Sequence, residues 1–248
     1  MAALAPGRNE RPRGAASPLA RLWLAAVAAV AGAVVALAAV ALLLPAADHQ
    51  RSALPVIGMA PHYRLVDQHG RTVSSADFAG KVRIVAPMFP YCTELCPLVA
   101  ANLAEFNKKV VRQSGLKGHV AFVFFNLAPG DASPSELREF LKQYGWDPDD
   151  PAVEFLTGSP RAIKQVVERG YHIAYYRTEG AGDEPSPIEI ANPLAARKKV
   201  NYDVKHADII ELVDPEGRIR KIFTEGSRVA DMPLQAAISA LLRRPAEG

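Results

Sequence analysis

The sequence predicts an α/β fold, a central mixed sheet flanked by helices with a β-hairpin at its N-terminal side, and three observations carry that expectation. Two runs, "KVRIVAPMF" at 81–89 and "HVAFVFFNL" at 119–127, are almost continuously apolar, as strands buried on both faces are. Segments of helical period alternate with them, the pattern of layered α/β domains. Near the C-terminus two strand-like runs flank the tight turn Asp214-Pro215-Glu216-Gly217 and lead into a closing amphipathic helix.

The chain begins with a basic arm, residues 1–21, in which Arg8, Arg11, Arg13 and Arg21 stand against Glu10, a net charge of +3 that equals the formal charge of the whole protein. The 26 residues Leu22 to Ala47 carry no charge, enough as a helix for roughly 39 Å, more than a hydrocarbon core of about 30 Å. A cleaved signal peptide has a shorter apolar core and closes on a small-residue site, so 22–47 is read as an uncleaved, single-pass transmembrane anchor. The arm's charge keeps it on the cytoplasmic side and sends the rest across. The basic excess is thus a matter of topology, and no nucleic-acid partner is expected. An alanine-rich anchor of this kind suits a bacterial inner membrane, with the domain facing the periplasm.

Residues 48–59 read as a polar tether, and residues 60–245 as the exported domain. "HYRLVDQHGRTV" at 62–73 is two short strands around a turn at Gln68-His69-Gly70. After the strand 81–89, apolar residues at Leu98, Val99, Leu103, Phe106, Val110 and Val111 mark a helix ending near Gly115. Past the strand 119–127, Ser133-Pro134-Ser135-Glu136 combines an N-cap serine, a proline at the first helical position and a glutamate at the third. A helix follows to about Tyr144. Ser159-Pro160 opens another through Arg169, and "YHIAYYR" at 171–177 reads as a strand. Residues 178–201, rich in Gly, Pro and charge, read as a long exposed loop. It delivers the chain to the strand "HADIIELVD" at 206–214, the turn, the strand "RIRKIF" at 218–223, and a last helix from about Met232 to Leu242.

The only two cysteines, Cys92 and Cys96, lie in "MFPYCTELCPLVA", where a central strand hands over to a helix. That strand end is where α/β proteins place reactive groups. Pro97 is tolerated only in a helix's first turn, so the helix begins close to Cys96 and Cys92 lies on the approach. A helix N-terminus lowers a nearby thiol's pKa, and thiolate is both nucleophile and metal ligand. A structural disulfide across so short a loop stabilises weakly, leaving a redox couple or part of a metal site.

A two-sulfur site is incomplete for most metals, so a third donor is needed. His49 lies in the tether, His62 and His69 on the hairpin, and His119 and His172 at strand starts, all better read as surface or structural residues. His206 ends the long loop and opens a strand, and in a thioredoxin-like topology that junction faces the cysteine-bearing helix. Thiol-disulfide enzymes of that topology carry a cis-proline there, whereas this chain has Lys205-His206-Ala207. Two thiolates and an imidazole make a soft set that suits Cu(I) and can also hold Cu(II). Zinc wants a fourth ligand, and Met88, the one nearby soft donor, reads as core packing.

With these residues in hand, the chain resembles the Sco/SenC family of membrane-anchored, thioredoxin-fold copper chaperones. The resemblance is carried by "YRLVDQHGRTVSSADFAGKVRIVAPMF", by Cys-x-x-x-Cys-Pro in "CTELCP", by "LTGS" at 156–159 and by "NYDVKHADIIELVDPEGRI" at 201–219. It implies that Cys92, Cys96 and His206 bind copper and that the protein helps build the dinuclear copper centre of cytochrome c oxidase subunit II. An upstream copper donor or thiol reductant is then a second partner. Thr93 and Glu94 depart from the family's common Cys-Pro-Asp-x-Cys, and "NLAPGD" keeps only Asp131 of the usual Asp-Pro.

Two functions of different class follow. In the first the protein is a metallochaperone and not an enzyme, with movement of the 178–201 loop letting His206 leave during handover. In the second it is a thiol-disulfide oxidoreductase, Cys92 and Cys96 forming the redox-active pair, which reduces the acceptor's cysteines or other exported disulfides. A copper sensor is a third possibility, with no sequence feature specifically in its favour.

Overall fold

The computed structural model describes residues 54–180 and 192–243 and, apart from these, Gly32. The arm, and the anchor 22–47 apart from Gly32, lie outside the described residues, as does His49. Among the described residues no helix is long and apolar enough to cross a membrane.

Ten strands are described: β1 Gly58–Met59, β2 Arg64–Val66, β3 Thr72–Ser74, β4 Val82–Met88, β5 Val120–Asn126, β6 Val153–Leu156, β7 Tyr175–Glu179, β8 Tyr202–His206, β9 Ile210–Val213 and β10 Arg218–Phe223. The α-helices among the described elements are α1 Leu95–Phe106, α2 Pro134–Gln143, α3 Pro160–Lys164, α4 Pro193–Lys198 and α5 Asp231–Leu242. The main sheet runs β1-β10-β9-β4-β5-β6, with β4, β5 and β6 parallel and β9, β10 and β1 antiparallel. It is the mixed sheet the sequence predicts. β2 pairs with β3 as the expected hairpin, while β7 and β8 form a separate antiparallel ribbon.

The two apolar runs become β4 and β5, and every residue of both is buried. The period of two sends Phe122 and Phe124 to one face and Phe125 to the other. On the first face Phe122 and Phe124 meet Trp146, and Phe124 meets Phe155. On the second, Phe125 meets Tyr63 and Tyr171. Trp146 reaches its place because α2 ends on Gly145 at φ +86, a left-handed value that glycine adopts at no steric cost. The Gly145 and Trp146 N–H groups then donate to the Lys142 and Leu141 carbonyls, closing the helix end. At its start, Ser133 and Glu136 form the expected capping box.

Gln68, at the expected turn, is almost fully buried. Its Nε2 donates to the Pro148 and Val153 carbonyls at 3.0 and 3.3 Å, and its Oε1 accepts from the Phe155 N–H at 2.8 Å. One side-chain amide thus supplies β6 with backbone partners on its outer side.

Several expectations are corrected. Gly58 and Met59, read as tether, pair with β10. Strand β6 was not anticipated. The strand expected at 171–177 starts only at Tyr175, because His172 takes a left-handed φ of 58 and the Tyr171 and Ile173 N–H groups donate back to Val166 and Val167 carbonyls, finishing the preceding helix. That helix and α1 both continue with π-helical turns, Gln165–Gly170 and Asn107–Val111. Residues 178–201 are not one loop: they hold the end of β7 and all of α4, with 181–191 outside the described residues.

Glu211 sits in β9 between Val85 of β4 and Ile222 of β10, 1% exposed, with Oε2 unpartnered. Burial pushes its carboxyl up from 4.5 to about 7. Between those values the folded chain keeps a proton that the unfolded chain has lost, so this residue's contribution to stability falls as pH rises through the window and is fully present only below it. The loss is on the order of 3 kcal/mol. Glu211→Gln is expected to be more stable than the parent at pH 8 and similar to it at pH 4, read as the difference between their urea midpoints; equal gaps at both pH values would refute this.

Candidate metal centre

β4 ends at Met88, and the chain turns back so that the Cys92 N–H donates to the Phe89 carbonyl at 3.0 Å. Helix α1 then starts at Leu95, placing Cys96 second and Pro97 third in its first turn, where proline's missing N–H costs no helical bond. Cys92 stands on the approach, as expected. Both residues are free and buried. The Glu94 N–H donates to Cys92 Sγ at 3.3 Å.

His206 arrives by a different route from the expected one. It closes β8, opposite Tyr175 of β7, and does not open β9, which starts four residues later. Its Nδ1 lies 2.9 Å from the Ala207 carbonyl oxygen. A carbonyl can only accept, so Nδ1 carries the ring proton and the Nε2 lone pair is directed at Cys96 Sγ, 3.3 Å away. Fixing the tautomer of one ring nitrogen through a backbone carbonyl is how ligating histidines are oriented.

The structure brings Cys92, Cys96 and His206 around one small cavity of about 50 Å³, which Glu94 and Asp208 also line. Asp208 is engaged elsewhere, accepting from the Ser227 N–H and hydroxyl. Among the described residues no three His, Cys, Asp or Glu side chains are already gathered as a metal-holding cluster. The three donors here are instead linked in sequence, Cys92 to Cys96 and Cys96 to His206. The neighbouring Cys96 thiol, and then burial, push the Cys92 thiol well above its ordinary value, against the lowering that the helix N-terminus predicts. The backbone N–H groups of Glu94 and Cys96 at the helix start do pull it down, but the second thiol and burial outweigh them. Copper bound here would displace that proton.

The other described histidines stay outside. His69 Nε2 is 2.8 Å from the Pro148 carbonyl oxygen, and His62 Nδ1 is at the Ser75 hydroxyl. His119 and His172 line neither the cavity nor its rim, and Met88 is fully buried in the core.

Glu94, which sequence reasoning left without a role, faces Lys205 at 3.5 Å, and Lys205 is held by Asp203 at 2.7 Å. The pair ties the cysteine turn to the ribbon carrying His206. Asp131 does the same from the other side: its carboxylate accepts from the Tyr202 hydroxyl at 2.7 Å, and its carbonyl accepts from the Tyr91 hydroxyl at 2.7 Å. Arg177 stacks on the Tyr202 ring, 3.5 Å from its centre. Burial opposes ionisation of Glu136, yet hydrogen bonds from the Ser133 N–H and hydroxyl, Lys198 and Tyr91 hold it at about 2.

Asn192 is the contact that sequence reasoning missed altogether. It caps α4, accepting from the Leu194 and Ala195 N–H groups at 3.1 Å, and donates to the Pro90 and Cys92 carbonyls at 3.0 and 2.8 Å. Asn192-Pro193 is an N-cap followed by a proline at the first helical position, a signal the sequence does contain.

Comparison with known proteins gives a consistent likeness. Residues 54–242 match the SCO1/SenC family model. Protein sco1 of Schizosaccharomyces pombe is 27% identical over 179 residues, which are 72% of this chain and 59% of that protein, so the match spans less than two thirds of that relative. Among solved structures, Arabidopsis thaliana ScoI with copper bound superposes with a TM-score of 0.56 at 23% identity, covering 73% of this chain and 97% of that one. BsSco, described as a member of the Sco family of cytochrome c oxidase assembly proteins, gives 0.57 at 18% identity, covering 76% and 96%.

Proposed function

The chain belongs to the SCO1/SenC family, and from that premise we propose that it is a copper metallochaperone which holds the ion through Cys92, Cys96 and His206. Copper is its cargo, delivered to the dinuclear centre of cytochrome c oxidase subunit II or a similar acceptor. The observation that carries this reading is the 3.3 Å approach of His206 Nε2 to Cys96 Sγ beside Cys92, at the rim of an ion-sized cavity. Two sulfurs and one imidazole nitrogen form a soft, low-coordinate set that fits Cu(I). Copper bound to a relative, Arabidopsis thaliana ScoI, and the assembly role named for BsSco support the same reading.

The chain's own residues supply binding and release. The three donors come from two separately built pieces, the β4–α1 turn and the end of the β7–β8 ribbon, so His206 can leave while both sulfurs stay, opening a position for an acceptor's ligand. The pieces meet through the exposed pair Glu94–Lys205, which contributes little and weakens in salt, and through the buried ring of Tyr202 packed on Phe89. We place the domain on the periplasmic side of an inner membrane, tethered by residues 22–47.

The adjacency of Cys92 and Cys96 favours a second reading, thiol-disulfide exchange with an acceptor's cysteines. The two readings part at His206. Titrating the reduced full chain with Cu(I) against a competing chelator is expected to give one tightly held ion, and His206→Ala is expected to weaken it by more than about a hundredfold, beyond what loss of a ligand's outer contacts costs. Undiminished binding would remove His206 from the site, and turnover of a disulfide substrate that is indifferent to His206→Ala would favour the exchange reading.

A further inference from the structure

Asn192 is 4% exposed, and both ends of its side-chain amide are engaged. Both Nδ2 protons go to the Pro90 and Cys92 carbonyls, and Oδ1 accepts from two backbone N–H groups of α4. Gln143 Nε2, at 3.5 Å from Oδ1, is a marginal extra donor. An amide has two donor protons and an oxygen with two lone pairs, so one side chain is saturated by two pieces of backbone that are a hundred residues apart in sequence. Aspartate has no donor for the carbonyls, serine lacks the reach to span both, and alanine has neither function. The residue does more than start a helix, since an N-cap needs only the oxygen.

The carbonyl it holds most closely, at 2.8 Å, belongs to Cys92 itself. Holding the carbonyls of Pro90 and Cys92 fixes the Pro90–Tyr91 and Cys92–Thr93 peptide planes, which flank the Tyr91–Cys92 pair, and with them the direction in which Cys92 enters the site. Cys96 needs no such help, because α1 sets its backbone. Cys92 lies before the helix, where backbone conformation has to be imposed from outside.

We propose that Asn192 is the positioning residue of the metal centre: by clamping the 90–92 backbone against the start of α4, it sets the Cys92 sulfur at its place opposite Cys96 and His206 before copper arrives. This rests on the reading of the three donors as a copper site. A pre-set turn reduces the ordering that binding must impose, the general benefit of preorganisation.

The test separates the clamp from the cap. N192S keeps a strong N-cap residue but cannot reach the two carbonyls. In the reduced, metal-free full chain, hydrogen exchange of the amides at 91–96 is expected to quicken about tenfold in N192S, the scale of two lost hydrogen bonds. Amides of 195–198 should stay as protected as in the parent. Cu(I) affinity, measured against a competing chelator, should fall about tenfold, the scale of losing an outer-shell contact, whereas an effect on folding alone would leave it unchanged. Should N192S fail to fold, N192G, which starts a helix at small cost, carries the same two readouts. Unchanged exchange at 91–96 overturns the proposal, and so does faster exchange with unchanged affinity. If the parent itself takes up no Cu(I), the copper reading fails and the positioning role with it, while the exchange result still decides whether Asn192 clamps the turn.

Discussion

Full-length protein carrying Cys96→Ala, reduced and mixed with one equivalent of Cu(I), is expected to lose the ion to a chelator that the parent protein outcompetes. Cys96 is the middle member of the donor set, beside Cys92 and 3.3 Å from His206 Nε2. Its removal deletes a ligand and also the contact that joins the pair of sulfurs to His206. Loss of an outer-shell partner costs about 10- to 100-fold in metal affinity, so loss of this sulfur should exceed about a hundredfold. The fold should survive, because replacing the thiol by hydrogen at the second position of α1 leaves a small void and keeps a good helix former. Equilibrium competition, with a melting curve as control, checks both statements. Retention of one tightly held ion by a folded Cys96→Ala chain would show that copper sits elsewhere or nowhere.

The largest effect on stability is expected at Phe155→Ala. Phe155 is fully buried in β6, edge-on to Phe124 at 5.9 Å and to Phe140 of α2 at 5.5 Å between ring centres. It joins strand and helix at the sheet's end, and truncation removes a ring that neighbours cannot replace. Buried Phe→Ala changes cost about 3–5 kcal/mol, a large part of the roughly 5–15 kcal/mol that holds a domain together. Urea unfolding should show a lower midpoint with an unchanged slope, and the melting temperature should fall by about 10 °C. A loss below about 1 kcal/mol would mean that α2 and β6 close over the space. Copper uptake at low temperature should persist, because the ring lies away from the cavity.

The parts of this fold that were legible in the sequence are those whose signal is local. β4 and β5 announce themselves as unbroken apolar runs, and α2 by Ser133, Pro134 and Glu136 in sequence. Cys92, Cys96 and His206 stood out because soft donors are few in this chain, and the structure brings all three to one cavity. The illegible parts depend on distant partners. β7 is half exposed, and its partner β8 begins 23 residues beyond its end, so no turn motif joins them. Yet β8 buries Tyr202 and Val204 at every second position, an alternation too short to stand out between the loop read at 178–201 and the strand read from His206. His172 adopts a left-handed backbone that few non-glycine residues take, and that one conformation moved the start of β7. Asn192 could be read as a helix cap, but nothing local reveals that its other half reaches the cysteine turn.

The buried amide of Gln68 bears on how this domain meets other chains. An outer strand with free N–H and C=O groups is a template onto which another chain can add a strand. At one border of the sheet the outer side of β6 is already occupied, by Gln68 and by the Val66–Thr157 bridge. At the other, β1 is two residues long, too short to recruit a partner ribbon. For the proposed copper carrier, which touches an acceptor and then lets go, neither border of the main sheet is left as a template for strand addition.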